Sequence, residues 1–129
     1  MDTPLSGDQF LLPTPILVSN TVELQDCIAQ LTDCDAIAID TEFMRTDTFF
    51  PILGLVQIFN GKDCWLIDPV HIPNLSLLAD FLTIKEIVKV FHSCSEDIEV
   101  LKHVFNCIPR PYFDTQIAAA SDSDTYLSL

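Results

Sequence analysis

The sequence is short of basic residues, of glycine and of long apolar runs, and each shortage excludes a class of protein. Lys and Arg number 6 against 19 Asp and Glu, for a net charge of −13. Such a surface repels phosphate backbones, so any nucleic-acid binding must depend on a local site. Glycine occurs only 3 times and 49% of the residues are hydrophobic, which excludes collagen-like repeats and intrinsic disorder. The 129 residues are therefore expected to form one globular domain.

Nothing in the sequence predicts a membrane span or a secretory signal. The uncharged residues 48–61 are interrupted by Pro51, Gly54 and Gly61, and they fall short of the roughly 20 residues that a bilayer-spanning helix needs. No Lys or Arg precedes Arg45, so the N-terminus lacks the basic region of a signal peptide. We therefore expect a cytoplasmic protein that has no contact with membranes.

The cysteines predict neither disulfide bonds nor a zinc site. Their number is odd and no two have C-x-x-C spacing, which argues against a disulfide framework and a zinc ribbon. We expect reduced thiols in the core. The five cysteines are Cys27, Cys34, Cys64, Cys94 and Cys107.

The hydrophobic pattern predicts an α/β fold. Asn20 followed by Glu23 resembles a capping pair at the start of a helix, and Asn60-Gly61 predicts a hairpin with a two-residue turn. A helix is also expected after Asp114, through residue 120. Strands are expected at residues 16–19, 36–40, 53–59, 64–68, 87–91 and 112–115. The other helices are expected at residues 21–31, at residues 73–82 and from Ser95 onward, with Ser95 as the N-cap.

This order predicts a mixed sheet flanked by helices, with a three-strand meander followed by alternating β/α units. We divide the chain into an N-terminal arm at residues 1–15, a domain at residues 16–120 and a polar tail at residues 121–129. The tail shows no clear periodicity and resembles neither a helix nor a strand.

A pair of carboxylates stands at the end of a predicted buried strand. Asp40 and Glu42 flank Thr41, and residues i and i+2 of a strand point to the same side. Two converging anions repel each other unless a cation lies between them, and Mg²⁺ or Mn²⁺ prefers such oxygen ligands. The alternative is that Glu42 turns to solvent or pairs with Arg45.

Three further residues follow other strands of the predicted sheet. Asp97, in the first turn of a helix, could point toward the same spot, or it could only interact with the helix dipole. His92 could touch a substrate or simply cap its strand. Asp114 could be a ligand, although the N-cap of the following helix is favoured.

Together these residues resemble ribonuclease D, which belongs to the DEDD family of 3′-5′ exonucleases with a ribonuclease-H-like fold. The resemblance covers about residues 18–120 in order and at compatible spacings. The motifs that carry it are Asp40-Thr41-Glu42-Phe43-Met44-Arg45, Phe49-Phe50-Pro51, Leu53-Gly54-Leu55-Val56-Gln57, Leu66-Ile67-Asp68-Pro69, His92-Ser93-Cys94-Ser95-Glu96-Asp97 and Phe113-Asp114-Thr115-Gln116.

The resemblance implies a two-metal nuclease that shortens RNA from its 3′ end, as in the maturation of tRNA precursors. Asp40, Glu42 and Asp97 would be the catalytic residues and would hold two Mg²⁺ or Mn²⁺ ions. Thr41, Phe43 and His92 would contact the substrate. RNA 3′ ends are therefore the expected partner, while protein partners stay unknown.

One family motif is missing from these 129 residues. The family carries a Tyr or His followed four residues later by an Asp, but Gln116 occupies that position after Tyr112 and no other Tyr or His fits. The helical nucleic-acid-binding repeats of ribonuclease D are missing as well. We therefore expect the N-terminal part of an exonuclease domain with impaired catalysis. A remnant that binds nucleic acid or a protein without cleavage, or an unrelated acidic α/β protein, are the alternatives.

Overall fold

The computed structural model describes residues 13–44, 51–92, 95–116 and 127–128. Four parts of the predictions therefore lie outside the described residues: residues 1–12 of the N-terminal arm predicted at residues 1–15, Arg45, residues 117–120 of the last predicted helix, and most of the tail. In chain order the elements are β1 (Ile16–Val18), α1 (Thr21–Leu31), β2 (Ala36–Met44), β3 (Ile52–Phe59), β4 (Cys64–Ile67), α2 (Ser76–Leu82), β5 (Val88–Phe91), α3 (Ser95–Phe105), β6 (Tyr112–Asp114) and β7 (Leu127–Ser128).

The strands form one mixed sheet in the order β1-β4-β3-β2-β5-β6-β7. Strands β2, β3 and β4 pair antiparallel, whereas β5 runs parallel to β2 and β6 runs parallel to β5. The predicted α/β fold is confirmed: a three-strand meander is followed by β/α units. Part of the tail also belongs to the sheet, because β7 pairs antiparallel with β6.

Helix α1 begins and ends where the sequence predicts. The Asn20 side chain accepts a hydrogen bond from the Glu23 backbone N–H at 2.8 Å, and the Glu23 carboxylate accepts one from the Ser19 N–H at 2.9 Å. This reciprocal pair satisfies donors that the first turn of a helix leaves unpaired. The buried stripe of α1 comprises Leu24, Cys27, Ile28 and Leu31.

Three local predictions are wrong in detail. The hairpin connecting β3 and β4 is confirmed, with residues 60–63 between the strands, but of Asn60 and Gly61 only Gly61 has the positive φ that the predicted turn requires. The Asn60 side chain instead accepts hydrogen bonds from the backbone N–H groups of Lys62 and Asp63. Helix α2 begins at Ser76, since Asn74 captures the Ser76 N–H in a turn that competes with helix. Ser95 is the first residue of α3 and not its N-cap.

Strand β2 is longer than predicted, since it runs from Ala36 to Met44. Antiparallel pairing with β3 continues as far as Met44 opposite Ile52, with a bulge between Glu42 and Phe43. Long-range pairing of this kind stabilises strand residues that the local hydrophobic pattern does not predict. The bulge follows directly after the two carboxylates, and bulges bend a strand locally.

The helices cover one face of the sheet. Ile37, Ile39, Val56, Ile58 and Trp65 are buried on this face and form one core with residues of all three helices. On the other face the even-numbered residues of β2 are exposed from Ala36 to Glu42. Among the described residues, no helix is long and apolar enough to cross a membrane.

The four cysteines that the structure describes are free, and among them Cys27 alone is a buried residue of the core. Cys27 is buried, whereas Cys34, Cys64 and Cys107 are half-buried. Burial raises the pKa of the Cys27 thiol to about 12. The prediction of reduced core thiols is thus confirmed for Cys27, and Cys94 lies outside the described residues.

A lysine is completely buried in the middle of β5. Lys89 is 0% exposed, and its ammonium donates to the backbone carbonyls of Ile84 and, at 3.0 Å, of Arg110. Burial lowers the pKa of Lys89 to about 8, although the charge of Glu86 partly opposes the shift. Two donors are enough for these two carbonyls, so the neutral amine can keep both hydrogen bonds.

Replacing Lys89 by Met is expected to change how stability depends on pH. The folded-state pKa of about 8 lies below the usual unfolded value of roughly 10.4. Between these values the unfolded chain binds more protons, so the free energy of unfolding rises with pH. From pH 7 to pH 9 the wild type should gain ~1 kcal/mol relative to Lys89→Met, as measured by urea unfolding.

The exposed residue Lys85 offers the matched control for this measurement. Lys85→Met should keep the pH dependence of the wild type, because Lys85 is exposed and its charge is solvated in both states. Because burial raises the pKa of the Cys27 thiol, this thiol makes the free energy of unfolding fall as pH rises above about 9. All three proteins contain Cys27, so its contribution cancels when their free energies of unfolding are compared. Equal pH dependence in wild type and Lys89→Met would contradict the prediction.

Candidate active site

The carboxyl end of β2 carries the two acidic residues of the first motif. Asp40 and Glu42 are exposed, while Thr41 between them is 6% exposed and faces the covered side of the sheet. The Asp40 carboxylate accepts a hydrogen bond from the backbone N–H of Thr41 at 3.0 Å. Strand alternation thus places both carboxylates on the open face and the hydroxyl in the core.

Asp97 connects helix α3 to this strand. It lies in the first turn of α3, is only 7% exposed, and accepts a hydrogen bond from the Thr41 hydroxyl. A carboxylate that only interacts with a helix dipole would stay in solvent. Asp97 therefore contacts β2 from the covered side of the sheet, through the residue that lies between Asp40 and Glu42.

The electrostatics of Asp97 place Asp40 close to it. Burial raises the pKa of the Asp97 carboxyl above its usual value, and the negative charges of Asp40 and Glu96 raise it further. The hydrogen bond from Thr41 lowers the pKa and only partly opposes these effects. A buried acid beside a second acid is a frequent feature of functional sites.

These residues suit a hard divalent cation in their donor chemistry. Carboxylate oxygens are the ligands that Mg²⁺ and Mn²⁺ prefer, and a cation near Asp40 and Asp97 would offset both their mutual repulsion and the cost of burial. Within the described ranges, however, no group of three or more His, Cys, Asp or Glu is arranged to hold a metal. The convergence of Asp40, Glu42 and Asp97 on one metal site therefore stays a prediction.

A second group of polar residues lies at the ends of β5 and β6. Asp114 is 3% exposed and accepts a hydrogen bond from the Gln116 backbone N–H at 2.9 Å, so the predicted N-cap interaction is confirmed. His92 is exposed, and its Nδ1 lies 2.9 Å from the Thr115 hydroxyl oxygen. Sequence reasoning missed Thr115, because only the fold brings it next to His92.

Two of the residues that are predicted to contact the substrate already have partners within the folded chain. The Thr41 hydroxyl donates to Asp97, and Phe43 is partly buried against the hydrophobic core. Both residues flank the carboxylates along β2. Contacts of Thr41, Phe43 and His92 with a substrate stay predictions.

The sheet order and the acidic residues on β2 and α3 point to the class of 3′-5′ exonuclease domains. The chain belongs to the 3′-5′ exonuclease family, whose model matches residues 15–124. The relatives that it matches over most of its own length are named ribonuclease D, which confirms the resemblance drawn from the sequence motifs.

Ribonuclease D of Shewanella sp. (strain ANA-3) is 45% identical over 103 residues, which cover 80% of this chain and 26% of that protein. Ribonuclease D of Escherichia coli (strain K12) is also 45% identical over 103 residues, with coverages of 77% and 28%. The chain thus spans about a quarter of the length of these relatives.

Solved structures agree with the fold. The crystal structure of Escherichia coli RNase D, described as an exoribonuclease involved in structured RNA processing, has a TM-score of 0.79 at 40% identity and covers 85% of this chain and 29% of its own. Trypanosoma brucei RNase D in complex with RNA U12 has a TM-score of 0.76 at 23% identity, covering 87% of this chain and 41% of its own, and supports the fold alone.

Proposed function

We propose that this chain provides the metal-binding part of a ribonuclease D-type site that removes nucleotides from the 3′ end of RNA. The observation that carries the proposal is the buried Asp97 linked through Thr41 to the strand that bears Asp40. Membership of the 3′-5′ exonuclease family supports this reaction class. The substrate we expect is structured RNA, tRNA precursors in particular, in the cytoplasm.

Asp40, Glu42 and Asp97 would hold two Mg²⁺ or Mn²⁺ ions. When bound, such ions lower the pKa of a water molecule and stabilise the charge on the leaving oxygen during phosphodiester hydrolysis. They would also reverse the local negative potential, which explains how a chain with a net charge of −13 could accept an RNA phosphate. The acidic surface elsewhere would repel RNA and confine binding to this site.

Thr41 acts here as a positioning residue for Asp97. Its hydroxyl donates to the Oδ1 oxygen of the Asp97 carboxylate. Such partners of metal ligands fix the ligand's orientation and contribute strongly to metal affinity. The conformation of Asp97 is thereby set before any metal arrives.

The direct test is a calorimetric titration of the chain with Mn²⁺. We expect weak binding by the wild type and none by Asp40→Ala, because Asp40 is the residue expected to contact both ions. In parallel, Mn²⁺ should increase the fluorescence anisotropy of a labelled single-stranded RNA mixed with the wild type, but not that of the same RNA mixed with Asp40→Ala.

Asp33→Ala provides the matched control for this titration. Asp33 is also an exposed acid, but it precedes β2 at the end opposite Asp40. This variant should bind Mn²⁺ and RNA as the wild type does. Identical Mn²⁺ binding by wild type and Asp40→Ala would remove Asp40 from the metal site and contradict the proposal.

A second candidate function is binding of RNA or a protein without cleavage. The observation behind it is that, among the residues that the structure describes, no three His, Cys, Asp or Glu are arranged to hold a metal. The two candidates differ in a single measurement, because only the first requires RNA to become shorter when Mn²⁺ is present.

A further inference from the structure

The ends of β5 and β6 are joined by a short chain of hydrogen bonds that the proposed metal site does not use. The Thr115 hydroxyl donates to the backbone carbonyl of Phe91 at 3.2 Å. The same oxygen lies 2.9 Å from Nδ1 of His92. His92 itself is exposed.

The direction of these hydrogen bonds determines which nitrogen of the His92 ring carries the proton. A threonine hydroxyl has one proton, and here Phe91 accepts it. The contact with His92 then requires Nδ1–H to donate to the Thr115 oxygen. In the neutral ring, the proton on Nδ1 leaves Nε2 as an acceptor.

The position of His92 in the chain brings this acceptor to the end of the sheet that carries Asp40. In the parallel pairing of β2 with β5, Ala36 lies opposite Val88 and Ala38 lies opposite Val90. Asp40 follows Ala38 by two residues in β2, and His92 follows Val90 by two residues, directly after the end of β5. Both residues therefore lie toward the carboxyl ends of two neighbouring parallel strands.

We propose that Thr115 is a positioning residue that holds His92 with Nδ1 protonated, so that Nε2 accepts a hydrogen bond from the nucleotide at the proposed active site. The inference rests on the proposed function and extends it to the terminal nucleoside. Phosphate oxygens are acceptors, so they cannot pair with Nε2 of the neutral ring. The partner is a donor: a ribose hydroxyl, the group that distinguishes RNA from DNA, or a base N–H.

The first test measures the tautomer directly. Long-range ¹H–¹⁵N spectra of the whole chain, which distinguish the two neutral tautomers of a histidine, should show His92 protonated on Nδ1. His92→Phe identifies its signals among the three histidines. Thr115→Ser should keep the tautomer, and Thr115→Val, which loses the hydroxyl at nearly constant volume, should shift it toward the Nε2-protonated form.

The second test measures binding of uridine 5′-monophosphate in the presence of Mg²⁺. We expect Thr115→Val and His92→Phe to weaken binding about 3- to 10-fold, the usual effect of one lost hydrogen bond, with Thr115→Ser close to wild type. The 2′,3′-dideoxy analogue distinguishes the donors. If the affinity of the wild type for the analogue is as low as the affinity of His92→Phe for the parent nucleotide, the donor is a sugar hydroxyl. If the wild type binds the analogue and the parent nucleotide equally well, the donor is a base N–H.

The possible failures are distinguishable. An Nε2-protonated His92 in the wild type, or an unchanged tautomer in Thr115→Val, would overturn the role of Thr115. Unchanged nucleotide affinity in His92→Phe would overturn the His92 contact and leave the proposed function intact. No nucleotide binding by the wild type would overturn the contact and count against the proposed function as well.

Discussion

Shortening of a 5′-labelled single-stranded RNA by this chain with Mn²⁺ is expected to be at least about 100-fold slower than by the Escherichia coli ribonuclease D. The physical reason is that two groups expected from the family resemblance do not occur within these 129 residues. No Tyr or His among them has an Asp at the fourth following position, so neither member of that pair is present. Loss of one positioned catalytic group typically costs about 10²- to 10⁴-fold in rate.

Asp40→Ala is the control for this assay. Any residual shortening by the wild type should disappear in Asp40→Ala and persist in Asp33→Ala, which excludes a contaminating nuclease as its source. A wild-type rate close to that of the Escherichia coli enzyme, lost in Asp40→Ala, would show that the missing motif is not needed. RNA binding without any shortening would favour the binding function instead.

Asp97→Asn should stabilise the metal-free chain and at the same time abolish its stabilisation by Mn²⁺. The pKa of Asp97 is raised mainly by burial, so the charged form destabilises the fold at neutral pH. Asn has no charge, has almost the same shape, and can still accept the hydrogen bond from Thr41. We expect a gain of ~1 kcal/mol in the free energy of unfolding without metal.

The pH dependence gives an independent check on Asp97. Because the pKa of the folded state is raised, the folded chain binds more protons than the unfolded chain from about pH 4 up to that raised pKa. The free energy of unfolding should fall as pH rises through this window. Thermal unfolding across the window should show the fall in the wild type and a smaller one in Asp97→Asn.

Glu96→Gln is the matched control for Asp97→Asn. Glu96 lies in the same first turn of α3 but is exposed, so its replacement should change stability by less than about 0.5 kcal/mol. Glu96→Gln should also keep the stabilisation by Mn²⁺, which follows from binding to the folded state alone. An Asp97→Asn variant that is less stable than the wild type would show that the carboxylate charge contributes favourably to the fold.

Prediction of the secondary structure succeeded where local interactions decide the conformation. Helix α1 has the predicted bounds because Asn20 caps it and an apolar stripe at helical spacing covers one face. The hairpin was predicted, but the backbone conformation of Asn60 was not, because its side chain accepts hydrogen bonds from two backbone N–H groups of the loop. Such side-chain to backbone hydrogen bonds compete with the regular backbone hydrogen bonds of a turn or helix, and the sequence pattern does not show which of the two forms.

The sequence by itself determined the class of this protein: two carboxylates at a strand end, a third at a helix start, and motifs in the order of the 3′-5′ exonucleases. Only the tertiary structure decided how these groups are held. The bond between Thr41 and Asp97 joins residues 56 positions apart, and that between His92 and Thr115 joins residues 23 positions apart. Both depend on the register of neighbouring elements. Local propensity specifies which residues end a strand, whereas packing of the sheet against its helices specifies which of those ends meet.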